Sequence, residues 1–279
     1  MTVRIVTDSS CDIPQELADE LGIEIVPLSI RFGDEEFVDR VELSTEDFWT
    51  KVAQSPLLPE TAAPSAGAFE ERFRALAADG ADGIVCICLT SRLSATMQAA
   101  LLGAKALEGV CEIRVIDSMS ASMGVGLHCI TAAALAKQGQ DVDQIASVIE
   151  DQVTRTHLFA TLDTLDHLRK GGRISGMKAL MGGALSVKPI LTITDGLMVE
   201  AGKVRTRSKS LKYLADKLKE TNAPTSVYVF HAQAPDIEEF LEMVGEIVPR
   251  EDIAIGIIGP VIGSHGGPGT IGLGWVDKT

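Results

Sequence analysis

Ser264 and His265 sit in the run Gly259-Pro260-Val261-Ile262-Gly263-Ser264-His265-Gly266-Gly267-Pro268-Gly269, inside 24 uncharged residues from Ile253 to Val276. One imidazole and one hydroxyl in that run make a polar point in an apolar wall. With eight glycines and two prolines among the 24 positions, the stretch is no membrane helix, because both residue types break helical propagation and lipid cannot satisfy the backbone they expose. A buried strand, a rigid loop and a second strand fit the pattern. The histidine then either hydrogen-bonds the backbone of a packed turn or meets a ligand.

Hydroxyls recur elsewhere. Strand-like segments run into Thr7-Asp8-Ser9-Ser10-Cys11-Asp12, Thr90-Ser91-Arg92-Leu93-Ser94-Ala95-Thr96 and Ser118-Met119-Ser120-Ala121-Ser122, and Thr61-Ala62-Ala63-Pro64-Ser65 precedes a helical pattern. Ser94, Ser65 and Asp12 are residue types that cap helix starts. A helix start also gathers unpaired amides and positive dipole, so a serine there helps receive a carboxylate or a phosphate. Positive charge lies elsewhere: from Arg155 to Lys219 there are 13 Lys/Arg against 5 Asp/Glu, in a chain of net charge −14. Such an island suggests one anion-facing surface on an acidic body, with solvated helix faces as the alternative. Within it, Arg173 follows Gly171-Gly172, where the backbone turns sharply and aims a guanidinium. Lys203, Arg205 and Arg207 alternate, and share one face if that run is extended.

Several chemistries find no support. No Gly-x-Ser-x-Gly elbow exposes a nucleophile. Asp163, Asp166 and His167 have suggestive metal spacing but read as a polar helix face, so no metal is expected. The glycine-rich runs match neither a P-loop nor the dinucleotide fingerprint, and no cofactor is expected. The net charge disfavours nucleic acid. Five cysteines show no disulfide or zinc spacing, and Met1-Thr2-Val3-Arg4 leads into a strand without the zones of a secretory signal. These point to a reduced, cytoplasmic protein.

The elements that must position these residues follow from periodicity. Strand-like runs at 3–7, 23–30, 84–89 and 113–116 alternate with helical patterns at 15–21, 45–54, 66–78 and 95–107, the rhythm of a mainly parallel sheet. In the last of those helices Met97, Ala100, Leu101, Ala104 and Leu107 form a core-facing stripe. The uncharged run 118–136 reads as a buried helix. Helical patterns at 142–154 and 211–220, with strands at 189–194, 227–230 and 253–258, describe a second α/β unit. The fold class is α/β with two domains, 1–155 and 156–279, as the length of 279 residues suggests. Ligands of such sheets collect beyond the carboxyl ends of the strands, where the hydroxyls lie.

In combination and order, several of these segments resemble the DegV family of fatty-acid-binding proteins, over essentially the whole chain. The resemblance is carried by Thr7-Asp8-Ser9-Ser10, Thr61 with Pro64-Ser65, Leu93-Ser94 with Thr96, Leu165-Asp166-His167-Leu168-Arg169-Lys170-Gly171-Gly172-Arg173-Ile174-Ser175, Lys188-Pro189-Ile190-Leu191, Lys203-Val204-Arg205-Thr206 and Gly259 to Gly269. Ala62, Ala63, Ala95 and Gly266 depart from it, standing where serine, glutamine, glycine and threonine are usual.

The resemblance implies a long-chain fatty acid lying in an aliphatic tunnel between two α/β domains, with its carboxylate on Thr61, Ser94 and His265. Ser9, Ser65 and Ser264 are neighbouring candidates. It also implies a separate ATP-binding kinase subunit that phosphorylates the carboxylate to an acyl-phosphate, with Arg173 and Arg205 meeting that partner or its phosphate. The chain is then a carrier without catalytic activity of its own, and peripheral exchange with membrane lipid is compatible with that role. The competing expectation is a stand-alone enzyme, a hydrolase or small-carbonyl kinase subunit, using His265.

Overall fold

The computed structural model describes residues 2–173, 187–221 and 223–278; Ile174 and Ser175 of the sequence motif lie outside the described residues. The chain runs β1 (Val3–Asp8), α1 (Gln15–Leu21), β2 (Ile23–Val26), β3 (Ser29–Phe32), β4 (Glu35–Val38), α2 (Thr45–Gln54) and β5 (Glu60–Ala62). It continues with α3 (Ala66–Ala78), β6 (Gly83–Cys88), α4 (Thr96–Lys105), β7 (Glu112–Asp117), α5 (Met123–Lys137) and α6 (Val142–Thr154). Then come β8 (Thr156–Thr161), α7 (Asp166–Gly171), β9 (Lys188–Thr194), β10 (Leu197–Val204), α8 (Arg207–Lys219) and β11 (Pro224–His231). The last elements are α9 (Ile237–Gly245), β12 (Ala254–Ile257), α10 (Pro260–Gly266) and β13 (Ile271–Asp277).

Four strands, in the order β2-β1-β6-β7, make a wholly parallel sheet. Every residue of β6 is buried, as a strand covered on both faces requires. Cys86 and Cys88 pack with Phe69 and Phe73 of α3 on one face, while Val85 and Ile87 pack with Val125 of α5 and Ile145 and Ile149 of α6 on the other. The helices start where the sequence supplies caps. Ser44 accepts from the Asp47 amide, Ser65 from the Ala68 amide, and Asp141 and Gln144 close a capping box on α6. α4 is shorter than its pattern, and Leu101, expected in the buried stripe, is 42% exposed.

Two expectations are corrected here. The run 23–30 is not one strand: Pro27 donates no ladder hydrogen bond, and after it the chain leaves the parallel sheet. β3 then joins an antiparallel sheet of order β4-β3-β5, whose last strand carries Thr61. The glycine-rich run after β12 is a helix, α10, and not a rigid loop. Pro260 stands at its first turn, where the missing N–H costs nothing, and Gly267 at φ 75° ends it. The uncharged run at 118–136 is realised as the buried helix α5, and among the described residues no helix is long and apolar enough to cross a membrane.

The later strands form a six-stranded mixed sheet, β10-β9-β8-β13-β11-β12. One face is covered by α8 and α9, where Leu211, Leu214 and Phe240 meet Val229 and Leu273. The other face packs on α5 and α10 and, with residues that follow the carboxyl ends of β6 and β7, walls a cavity.

Candidate head-group cluster and acyl cavity

The sequence alternates Leu158, Ala160 and Leu162 along β8 and just past it, with Leu191 and Ile193 on β9 and Met198 on β10. All six line a cavity with about 850 Å3 of atom-free space, its open part included. The parallel-sheet side adds Leu28, Leu89, Leu93 and Ala121, and α10 adds Val261 and Ile262. Most polar groups on this wall are already satisfied. Ser122 Oγ donates to Asp12 (2.6 Å), Thr192 Oγ1 to the Leu158 carbonyl (2.8 Å), and Thr270 Oγ1 to the carbonyls of Gly266 and Gly267 (both 2.9 Å).

The remaining polar groups gather together. Thr61 Oγ1 lies 3.0 Å from His265 Nε2. Arg173 donates from Nε to the Leu93 carbonyl (3.1 Å), next to Ser94, and from Nη1 to the Gly171 carbonyl (2.7 Å). Ser94 Oγ lies 2.9 Å from Thr96 Oγ1 and accepts from the Thr96 amide at 3.3 Å. Thr61, Ser94, His265 and Arg173 all line the cavity. Arg173 has no carboxylate partner among the described residues, whereas nearby Lys170 is held by Glu60 at 3.3 Å.

Burial, followed by the neighbouring positive charge of Arg173, pushes His265 down to about 4, so the ring is neutral at physiological pH. Its Nδ1 is buried with no hydrogen-bond partner among the described residues and lies against Gly171. A proton there meets no acceptor among the described residues, whereas one on Nε2 is donated to Thr61 Oγ1. In that tautomer the Thr61 hydroxyl keeps its own proton free to donate.

Three contacts fix α10. The Gly259 amide, at its N-cap, donates to Asp12 at 2.9 Å, and His167 Nδ1 donates to the Ser264 carbonyl at 3.1 Å. Ser264 turns its own hydroxyl back to the Pro260 carbonyl (2.7 Å). Asp12, a helix-cap type by sequence, instead bridges the starts of α10 and α5, and burial pushes its carboxyl up to about 7. Nothing in the local sequence signals the parts played by Asp12 and His167, because their partners lie 110 and 97 positions away.

Of the neighbouring candidates, none lines the cavity. Ser9 accepts from the Leu28 amide, Ser65 caps α3, and Ser264 is spent within its own helix. Arg205 is exposed between β10 and α8. The expected shared face of Lys203, Arg205 and Arg207 is not formed: β10 ends at Val204, Thr206 caps α8, and Arg207 begins that helix, paired with Asp236 at 2.7 Å. Asp163, Asp166 and His167 form no metal group among the described residues; Asp163 is taken by Lys188 at 2.7 Å, and His167 is buried rather than on a polar face.

The model of the DegV family, described as uncharacterised proteins, matches residues 2–278. The chain belongs to the DegV family. A DegV domain-containing protein of Halalkalibacterium halodurans is 35% identical over 277 residues, covering 98% of each chain. Among solved structures, a DegV family protein from Thermus thermophilus described for its fatty acid binding aligns at TM-score 0.90 and 29% identity over 100% of both chains. A stearic acid-binding protein from Eubacterium ventriosum aligns at TM-score 0.89 and 28% identity over 99% of this chain and 98% of that one. The hydroxyl, imidazole and guanidinium groups described above thus belong to a DegV protein whose structural relatives hold fatty acids.

Proposed function

We propose that this DegV protein binds a long-chain fatty acid with its tail in the cavity and its carboxylate at Thr61 and Ser94, backed by neutral His265. One observation carries the reading: the aliphatic cavity is lined by a cluster of uncharged donors together with the Arg173 guanidinium, which has no carboxylate partner among the described residues. Burying about fifteen methylenes at about 0.8 kcal/mol each supplies about 12 kcal/mol before association costs, against about 1.5 to 3 kcal/mol for a charge-assisted hydrogen bond. The tail therefore supplies affinity, while the polar cluster orients the acid and keeps a buried carboxylate from being unpaired.

The same reading makes the protein a substrate carrier for a separate ATP-binding kinase subunit, with the division of domains at 155/156. A carboxylate oxygen forms a bond to the γ-phosphorus of ATP as the bridging bond to ADP breaks, giving an acyl-phosphate. Neutral hydroxyl donors leave oxygen lone pairs open for that attack, where a bidentate arginine grip would occupy them. Arg173 and exposed Arg205 then meet the partner or its phosphate. Native mass spectrometry of the purified protein is expected to find a retained long-chain acid; protein that is empty and takes up no added fatty acid refutes the carrier role. Turnover of an ester or small carbonyl substrate without a partner supports the enzyme alternative instead.

A further inference from the structure

The cavity lies over only half of the six-stranded sheet. Among the described residues β8, β9 and β10 all contribute to its wall, β13 contributes none, and β11 contributes only Phe230. The register shows why. Leu191 stands opposite Ala160, Ala160 opposite Gly272, and Gly272 opposite Phe230, so one row of side chains crosses four strands with its two smallest members in the middle. Directly opposite residues share a face and sit within side-chain reach. Gly272 leaves its place on that face empty, and the Phe230 ring fills it: a β-carbon on Gly272 would overlap Cζ and both ε carbons. Two residues along, Tyr228 lies over Gly274 in the same way, stacked on Phe230 at 5.9 Å between ring centroids. Tyr228 is buried and does not reach the cavity, so Phe230 is the wall between the cavity and the second glycine position.

We propose that Phe230 determines acyl specificity by setting the width of the cavity, confining the tail to the β8–β10 half of the sheet and favouring a straight chain over a branched or cis-bent one. The inference rests on the fatty-acid reading above. A ring pressed on a glycine has two side-chain torsions and no flexible end, so it yields less than Met198 on the opposite wall. A methyl branch or a cis bend needs width, and on the β11 side it meets that ring. Each methylene-sized piece denied apolar contact loses about fourfold in affinity.

The test uses the full chain stripped of lipid, with displacement of a fluorescent fatty acid by palmitate, oleate and an anteiso-branched acid. The parent is expected to prefer palmitate. Phe230→Leu and Phe230→Met should raise the affinity for oleate and the branched acid relative to palmitate by about fourfold or more. Gly272→Ala, which drives the ring toward the cavity, should weaken all three and the branched acid most. Unchanged ratios in either folded Phe230 variant, or a parent indifferent to branching, overturn the proposal, and the Phe230 variants decide it alone if Gly272→Ala does not fold. A parent that binds none of the acids refutes the fatty-acid reading itself, a result distinct from binding without selectivity.

Discussion

The imidazole of His265 rests on the backbone of Gly171, with no room between them for a β-carbon: one built on Gly171 would overlap Nδ1. The last residue of α7 thus holds the ring that orients Thr61. Gly171→Ala gains helix propensity of about 1 kcal/mol and loses a similar amount or more to overpacking. The expected outcome is a small change in melting temperature with about tenfold weaker fatty acid binding, from loss of one charge-assisted hydrogen bond. Calorimetry and ligand displacement on the same preparation read both quantities.

Head and tail should separate cleanly. Removing one head-group donor, as in Ser94→Ala or Thr61→Val, is expected to cost about 1.5 to 3 kcal/mol of binding. Shortening the acid by about six methylenes costs about 5 kcal/mol, so the parent should bind decanoate more weakly than Ser94→Ala binds palmitate. In the presence of a partner kinase and ATP, Ser94→Ala and His265→Ala are expected to lose phosphate transfer while retaining most loading. Transfer at the parent rate would remove these residues from the head-group role.

Arg173→Ala and Arg205→Ala should load lipid normally, since the tail dominates affinity, yet couple poorly to the kinase. The two are not equivalent in position, because Arg173 lines the cavity and Arg205 does not. Parallel loss of coupling in both places the partner across the surface that joins them, while normal coupling in both reduces the basic island to a solvated face.

Stability against pH tests the buried ionisable groups. His128 is fully buried with neither ring nitrogen hydrogen-bonded among the described residues, and burial holds it down at about 4. The unfolded chain takes up its proton near 6.5, so between these values acid favours unfolding, by about 2 kcal/mol at pH 5 relative to pH 7. Asp12 works the other way. Its folded value near 7 exceeds the unfolded one, so the native state keeps a proton that the unfolded chain releases, and its contribution fades as pH rises toward 7. Urea midpoints should therefore show a smaller fall from pH 7 to pH 5 in His128→Leu than in the parent, and a larger fall in Asp12→Asn. A pH profile unchanged in both would mean that neither group titrates as its burial requires.

Much of the parallel half is legible because its signals are local. α1, α2, α3 and α6 begin and end where caps and apolar spacing place them. The strands β3 to β5 are not legible, since Thr61 reaches the site on a three-residue strand whose pairing with Ile30 crosses 31 positions. α10 defeats residue propensity because its glycines count against a helix, yet Pro260, Gly267 and the Asp12 carboxylate outweigh them at its ends. Thr61, Ser94 and His265 emerge from residue type and motif. What escapes sequence reasoning is what holds them: Gly171 under the ring, His167 on the Ser264 carbonyl and the β13 glycines that make room for Phe230.

β13 follows every other described strand in chain order, yet it lies inside the six-stranded sheet, where Val276 pairs with Thr156 and Leu273 with both Phe159 and Val229. During translation, β8 is made long before the neighbour that separates it from β11. The parallel half contains all its own pairings and is free to fold on the ribosome, while the pairing of β8 with β13 that unites the later sheet closes over more than a hundred residues. A nascent chain therefore cannot join β8, β9 and β10, which wall the cavity, to β11 and β12 until β13 has emerged.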